Sequence, residues 1–331
     1  MTTLDAHLEA DRRPGAADVG ALVRAVAAAG VKIADELARA ALIGQLGTTG
    51  ETNVQGEKVK KLDVWANDVV VAALDKTGRA CALVSEEMEE IRHNTAQCGQ
   101  GGYVVCFDPV DGSSNLDVNG IVGTIFSVLK RAGGAGHPQS DVLQPGRAQV
   151  ASGYIMYGPS TLMVMTTGAG VHGFTLDRTS GDWVCTHTDL KIPPRGKVYS
   201  INDGNFSRWP ESVRHFIEHA RAIDPASGRP YTARYAGSLV TDVHRILLEG
   251  GIFLYPEDAA GSGKQSTGKL RLMYEAAPMG WIIEQAGGAA STGRARILDL
   301  VPTTPHQRVP LLIGSREDVQ RADQFYAGKR T

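Results

Sequence analysis

A layered α/β fold is what this 331-residue chain predicts, and three features of the sequence carry that reading. A long amphipathic helical pattern opens the chain, short β-branched runs fill its middle, and helices and strands alternate again beyond residue 196. The change of pattern falls at Ile192-Pro193-Pro194-Arg195-Gly196, where Pro and Gly interrupt both periodicities. It divides the chain into an N-terminal part, 1–195, and a C-terminal part, 196–331.

Taken in order, Val19, Leu22, Val23, Val26, Ile33 and Leu37 recur at three- and four-residue steps and predict a helix over residues ~18–43. Gly44 to Gly56 is rich in Gly, Thr and Asn and reads as a mobile loop. Val59 to Lys76 reads as a second helix, with Asp63 and Asn67 one turn apart on one face. Strands follow at Ala80 to Ser85, Gly102 to Phe107, Ile121 to Lys130, Val150 to Tyr157 and Leu162 to Thr167, with a longer connection at His137 to Arg147. The C-terminal part reads as a strand at Lys197 to Ile201, a helix near Glu211 to Ala222 and a helix from Ser238 to a Gly250-Gly251 stop. A strand at Gly251 to Tyr255, a helix at Met273 to Gln285 and a last strand at Val309 to Ile313 complete it.

Composition narrows the function. Hydrophobic content of 42%, charged content of 21% and a net charge of -2 describe an ordinary globular chain without the basic stripe of a nucleic-acid binder. Neither a signal-like N-terminus nor a run near the ~20 apolar residues of a membrane span appears, so the expected location is the cytoplasm. Cys81, Cys98, Cys106 and Cys185 show no metal spacing and read as reduced thiols.

The chemistry concentrates in Asp108-Pro109-Val110-Asp111-Gly112-Ser113-Ser114-Asn115, directly after the apolar run Tyr103 to Phe107. A strand end delivers two carboxylates, Pro109 fixes a φ angle between them, and Gly112 lets the turn close. The Gly112-Ser113-Ser114 segment then offers amides and hydroxyls to phosphate oxygens. Glu86 and Glu87 close the preceding strand, so two strand ends deliver three carboxylates to one point if they are neighbours. The alternative for the Glu86 to Glu90 stretch is a solvated acidic turn, and for the octet a turn that caps a helix. Carboxylates without His or thiol select Mg²⁺ or Mn²⁺ over zinc. Two such cations sharing a carboxylate are a recognised device for hydrolysing phosphate esters.

The octet, with Ser85-Glu86-Glu87 upstream, resembles the metal signature of the lithium-sensitive, Mg²⁺-dependent sugar phosphatase superfamily. Lys60-Lys61-Leu62-Asp63-Val64, Arg234-Tyr235-Ala236-Gly237-Ser238, Gly251-Ile252-Phe253-Leu254-Tyr255-Pro256 and Gly268-Lys269-Leu270-Arg271-Leu272-Met273-Tyr274-Glu275 narrow the resemblance to class I fructose-1,6-bisphosphatase. It spans about Val19 to Gly314 and implies an αβαβα sandwich of two closely packed subdomains, metal-binding before residue 196 and sugar-phosphate-binding after it. It further implies ligation of two or three Mg²⁺ (or Mn²⁺) ions by Glu86, Asp108, Asp111, Glu275 and the Val110 carbonyl, with Glu57 serving a third site. Asp63 and Glu87 match carboxylates that orient or deprotonate the attacking water; read singly, Asp63 is a helix cap or a partner of Lys60 or Asn67. Asp111, Gly112, Ser113 and Ser114 then face the 1-phosphate, and Asn202, Tyr235, Tyr255, Lys269 and Arg271 face the sugar and its 6-phosphate. Arg234 reaches in from a neighbouring subunit of a homotetramer.

The implied reaction is hydrolysis of the 1-phosphate of fructose 1,6-bisphosphate, in gluconeogenesis or the Calvin cycle. The competing readings are a sedoheptulose-1,7-bisphosphatase or dual-specificity enzyme and, outside catalysis, a phosphosugar-binding regulator. Asn205 stands where many relatives carry a Tyr, which weakens the expected grip on the distal phosphate. Of the vertebrate AMP pocket Tyr103 and Lys130 match, but its Thr and Lys are missing from Gly15 to Asp18 and from Gly101-Gly102, and Ala132 to Gln144 lacks the cysteines of the chloroplast redox loop. Gly263 to Lys269 nearly spells a nucleotide-binding P-loop, but Leu270 occupies the place of the Mg²⁺-binding Ser or Thr.

Overall fold

Strands Ala80–Ser85 and Tyr103–Asp111 run parallel at the heart of an eight-stranded sheet, with Ser85 in register with Phe107. Their C-terminal ends therefore lie side by side, which places Glu86 next to Asp108. Every other neighbouring pair of this sheet is antiparallel, in the order Trp183–His187, His172–Leu176, Thr161–Thr166, Gln149–Tyr157, Val122–Lys130, Tyr103–Asp111, Ala80–Ser85, Arg92–His93. The structure is a computed structural model and describes residues 2–52, 58–94, 102–131, 138–259 and 268–329.

Side chains alternate across this sheet, as a pleated strand requires. Val105, Phe107, Phe126 and Val128 bury one face against helices Ala16–Leu37 and Lys61–Asp75. Ile125, Tyr154, Leu162 and Val164 bury the other against helices Leu239–Glu249 and Ala277–Gln285. Those helices rest in turn on Phe253, Leu311 and Ile313 of a second sheet, ordered Thr232–Ala233, Val198–Ser200, Ile252–Tyr255, Leu311–Gly314, Ala289–Ser291. Its far face, through Tyr199, Ile252, Leu254 and Leu312, is covered by helices Glu211–Arg221 and Arg316–Tyr326. The layers read αβαβα. Each fully buried large apolar side chain contributes about 1.5–3 kcal/mol, and a fourth cluster, Val84, Val104, Cys106 and Leu129 against Met273 and Tyr274, joins the others.

Several elements depart from the sequence reading. The first helix stops at Leu37, and Ala38 onward forms turns. Part of the expected loop at Gly44 to Gly56 is an arm, Thr48–Thr52, paired antiparallel with Lys58–Lys60. The strand that carries the octet continues through Asp111, four residues beyond the apolar run, because the neighbouring strand Val122–Lys130 keeps pairing with it. Strands His172–Leu176, Trp183–His187 and Ala289–Ser291, and helices Leu4–Ala10 and Arg316–Tyr326, lack strong sequence signals and form against the core. Cys81 is disulfide-bonded, which corrects the reading of four reduced thiols. Cys106 and Cys185 are free, and Cys98 lies outside the described residues.

Candidate active site

Asp108 and Asp111 are three residues apart, so in a regular strand they would face opposite sides of the sheet. A bulge solves this. Asp108 pairs with Ile125 but Asp111 pairs with Gly123, so one extra residue is accommodated between them and both carboxylates turn to the same side. The Asp108 carboxylate (Oδ1) accepts from the Val110 amide at 3.0 Å, and Thr124 donates its hydroxyl to the Pro109 carbonyl at 2.8 Å, which stitches the bulge in place.

Helix Leu239–Glu249 points its N-terminus at this bulge, and glycine makes the approach possible. A Cβ on Gly123 would lie 2.4 Å from Val240, and one on Gly112, whose φ is +75°, would lie 2.6 Å from Ser238. Ser238 precedes the helix but makes no cap of its own. Asp111 acts in its place, its Oδ2 accepting from the Ser238 hydroxyl at 2.7 Å and the Val240 amide at 2.9 Å. A carboxylate from a distant strand thus satisfies amides that the helix leaves orphaned.

Glu86 and Glu87 lie in a turn closed by Met88 N–H donating to the Ser85 carbonyl. Glu275 arrives from a π-helical turn, Leu272–Ala276, in which the Ala277 amide reaches back five residues to the Leu272 carbonyl. Pro278 has no amide to offer the Tyr274 carbonyl, so the α-helical pattern is broken at this point in favour of the wider turn. Asp108, Asp111 and Glu275 are all buried, and each offers an oxygen within 4.8 Å of the others. A hard divalent cation fits this buried, all-oxygen set.

Electrostatics agree. Burial pushes the Asp108 carboxyl well above the usual carboxylate range, and Glu86, Asp111 and Glu275 push it further. Burial raises Asp111 to about 6 against the Val240 and Leu239 amides and the Ser238 hydroxyl, and raises Glu275 to about 8 against the Arg271 guanidinium, with Glu86 adding to both. Arg271 is the compensating charge. Its side chain, only 4% exposed, stands 2.8 Å from Glu86 and 3.8 Å from Glu275, and its backbone amide donates to Glu275 at 2.6 Å. Arg271, read from sequence as a contact for the second phosphate, lines the cavity and also pairs with these two acids, because its strand pairs beside the π turn that carries Glu275.

Asp63 is the third residue of helix Lys61–Asp75 and reaches back to the Lys60 amide, as a capping-box acid does. It also accepts from Ser113, yet its Oδ1 is buried with no hydrogen-bond partner among the described residues. Burial, opposed by the Ser113 hydrogen bond and reinforced by Glu86, raises its pKa to about 7. Its expected side-chain partner, Lys60, pairs instead with Asp117 and so ties the hairpin to the 3-10 turn Ser113–Val118.

One cavity of 420 Å³ gathers these groups. Of the residues picked out by sequence, Asp63, Glu86, Glu87, Asp108, Val110, Asp111, Gly112, Ser113, Ser114, Tyr235, Tyr255, Lys269, Arg271 and Glu275 line it. Lys269 holds its ammonium 5.7 Å from the centre of the Tyr255 ring. Asn202 does not line the cavity but hydrogen-bonds Tyr235, which does. Arg234 is exposed and outside it, and Glu57 lies beyond the described residues. Ser238 and Asp242 line the cavity without having been picked out. Asp242 accepts from the Ala236 and Gly237 amides at 2.9 and 3.0 Å and so folds the Tyr235 segment over the helix. An acid in a helix's first turn after an Arg-Tyr-Ala-Gly-Ser stretch was the available signal.

Comparison with known proteins accounts for this arrangement. The family model described as fructose-1-6-bisphosphatase, N-terminal domain, matches residues 3–188, and the C-terminal domain model matches residues 192–327. A fructose-1,6-bisphosphatase class 1 of Trichormus variabilis is 47% identical over 98% of this chain and 92% of its own length. One from Chloroherpeton thalassium is 49% identical over 100% of this chain and 95% of its own. Among solved structures, fructose-1,6-bisphosphatase of Leishmania major in holo form superposes with a TM-score of 0.90 at 38% identity, covering 98% of this chain and 99% of the other. With the matches running through both halves and every motif in order, this chain belongs to the class 1 fructose-1,6-bisphosphatase family.

Proposed function

We propose that this chain is a phosphoric monoester hydrolase that removes the 1-phosphate of fructose 1,6-bisphosphate to leave fructose 6-phosphate, and that it does so with divalent cations. Membership of the family over nearly the whole length supports the activity. The observation that carries the chemistry is the convergence of Asp108, Asp111 and Glu275 in a cavity that also holds Ser113, Ser114 and Lys269. Those three carboxylates, with Glu86 and the Val110 carbonyl, would hold two ions, and Glu57 a third; Mg²⁺ is our choice, with Mn²⁺ as substitute. When bound, such ions supply Lewis acidity toward the phosphate and acidify water.

The chain's own groups do the rest. Gly112, Ser113 and Ser114 orient the 1-phosphate through amides and hydroxyls, and Tyr235, Tyr255 and Lys269 receive the sugar and the 6-phosphate, with Asn202 behind Tyr235. Glu87 and Asp63 hold the attacking water, and Asp63 Oδ1 takes its proton. A base with a pKa of about 7 is in its working, deprotonated form above neutrality, so activity rises with pH through that region. Asp63→Asn is expected to lower kcat by roughly 10²–10⁴-fold and flatten the acidic limb of the pH–kcat profile between about pH 6 and 9. An unchanged limb would remove Asp63 from this role.

Arg234, exposed at the surface, fits a contact made across an interface, and we propose a homotetramer, to be checked by light scattering. The same proposal divides the chain into a metal-binding part, 1–195, and a sugar-phosphate part, 196–331, with Glu275 crossing between them. We assign the protein to cytoplasmic sugar-phosphate metabolism, gluconeogenesis or the Calvin cycle; no helix among the described residues is long and apolar enough to cross a membrane.

Sedoheptulose 1,7-bisphosphate is the second reading, favoured by Asn205, which leaves the distal end without the Tyr of many relatives. Steady-state phosphate release from both bisphosphates, with Mg²⁺ and with Mn²⁺ and with AMP added, decides between them. We expect turnover of fructose 1,6-bisphosphate without strong AMP inhibition. Binding of both sugars without any phosphate release would replace the enzyme by a phosphosugar-binding regulator.

A further inference from the structure

His306 sits outside the catalytic cavity, yet it joins the two chain segments that bring Glu86 and Glu275 together. Its Nδ1 is 2.8 Å from the Tyr274 hydroxyl, and its Nε2 is 3.1 Å from the Glu89 carbonyl. Tyr274 is fully buried and immediately precedes Glu275 in the π-helical turn. Glu89 follows directly on the turn that carries Glu86 and Glu87, one residue past the Met88 amide that closes it.

The chemistry of the two partners fixes the tautomer of the neutral ring. A carbonyl oxygen only accepts, so Nε2 carries the proton. In the neutral imidazole Nδ1 then accepts from the Tyr274 hydroxyl, and both ring nitrogens are used. The ring itself is held from behind. Gln307 accepts the Leu272 amide at 2.8 Å through its carbonyl, Arg308 pairs with Arg271, and the Gln307 side chain is gripped by the Thr303 amide at 2.7 Å.

We propose that His306 is a positioning residue for the metal centre: it clamps the turn of Glu86 and Glu87 to the turn of Glu275. The need for a clamp is physical. Four carboxylates held together repel one another before a cation arrives, and that repulsion acts to open the gap between the two segments. Arg271 opposes it between the side chains, while His306 opposes it between the backbones. Groups of this kind, which orient ligands without touching the ion, typically account for 10–100-fold in metal affinity.

The inference rests on the divalent-cation reading of the site, and a Mn²⁺ titration of the purified full chain, with unbound Mn²⁺ read by electron paramagnetic resonance, separates the two. His306→Leu is expected to weaken Mn²⁺ binding about tenfold. His306→Gln is expected to recover most of that, since its amide donates to the Glu89 carbonyl and accepts from the Tyr274 hydroxyl. Tyr274→Phe, which keeps the ring and loses one arm of the clamp, is expected to weaken binding several-fold and guards against a Leu variant that does not fold. The KM for the sugar bisphosphate at saturating Mn²⁺ should stay within about twofold in all three. Affinity within twofold of the parent protein in the Leu and Phe variants overturns the proposal, whatever happens to their melting temperatures. Equal weakening by Leu and Gln overturns it too, because the hydrogen bonds would then not matter. A parent protein that binds no Mn²⁺ overturns the cation reading and this inference together.

Discussion

Asp108→Asn is expected to reduce phosphate release at least about a thousandfold and, at the same time, to raise the melting temperature of the metal-free protein. The first effect follows from removing a charge at the centre of an electrostatic site, where single deletions cost roughly 10²–10³-fold even when a neutral donor is lost. The second follows from the same burial. Asp108 is 2% exposed, and desolvation together with Glu86, Asp111 and Glu275 holds its pKa far above the model-peptide value.

The sign for such a group is definite. A carboxyl whose folded-state pKa lies above its unfolded value favours the folded chain when protonated, so its stability is fully present below the unfolded pKa and drains away as pH rises through the folded one. Asp63 marks one such window, from 3.8 to about 7, and the raised Asp111 and Glu275 act in the same direction. Metal-free protein should therefore lose stability between about pH 4 and neutrality. Asparagine keeps the shape, and its Oδ1 still accepts the Val110 amide, but it carries no charge, so at pH 7.5 the variant should gain on the order of 1–3 kcal/mol. Thermal melts in EDTA from pH 5 to 8 measure this directly. A variant less stable than its parent at pH 7.5 would mean that the Asp108 carboxyl has a compensating partner that asparagine cannot replace.

Arg271→Leu is expected to be the most destabilising single change at the site, costing about 3–5 kcal/mol in metal-free protein at pH 7.5, because it leaves buried carboxylates without their counter-charge. The side chains concerned, Arg271, Glu86 and Glu275, are 4%, 12% and 5% exposed, so solvent screens them little. Two manipulations should restore part of the loss. Lowering the pH protonates the acids, and adding Glu275→Gln removes one of them. Urea unfolding of the single and double variants in EDTA gives the numbers. A single-variant loss under about 1 kcal/mol would show that the pair is solvated after all.

Much of the fold was readable because it is local. The helix of Ala16–Leu37, the five central strands and the helix of Leu239–Glu249 carry their periodicity in contiguous residues. Helix Arg316–Tyr326 and strands His172–Leu176 and Trp183–His187 were not readable, since their stability comes from the core they cover rather than from propensity or pattern.

The site divides in the same way. The octet by itself determined that acidic oxygens and phosphate-binding donors meet at the end of a strand, because proline, glycine and the apolar run before them act over a few residues. The motif resemblance supplied Glu275, which no spacing argument reaches. Only the tertiary structure decided how the acids share their work. The bulge opposite Gly123 turns Asp108 and Asp111 to one side, Asp111 spends one oxygen on a helix 127 residues away, and Arg271 pairs with the acids from the cavity wall. The reason is that charge compensation depends on distance in space, and a chain's sequence records only the order in which the charges come.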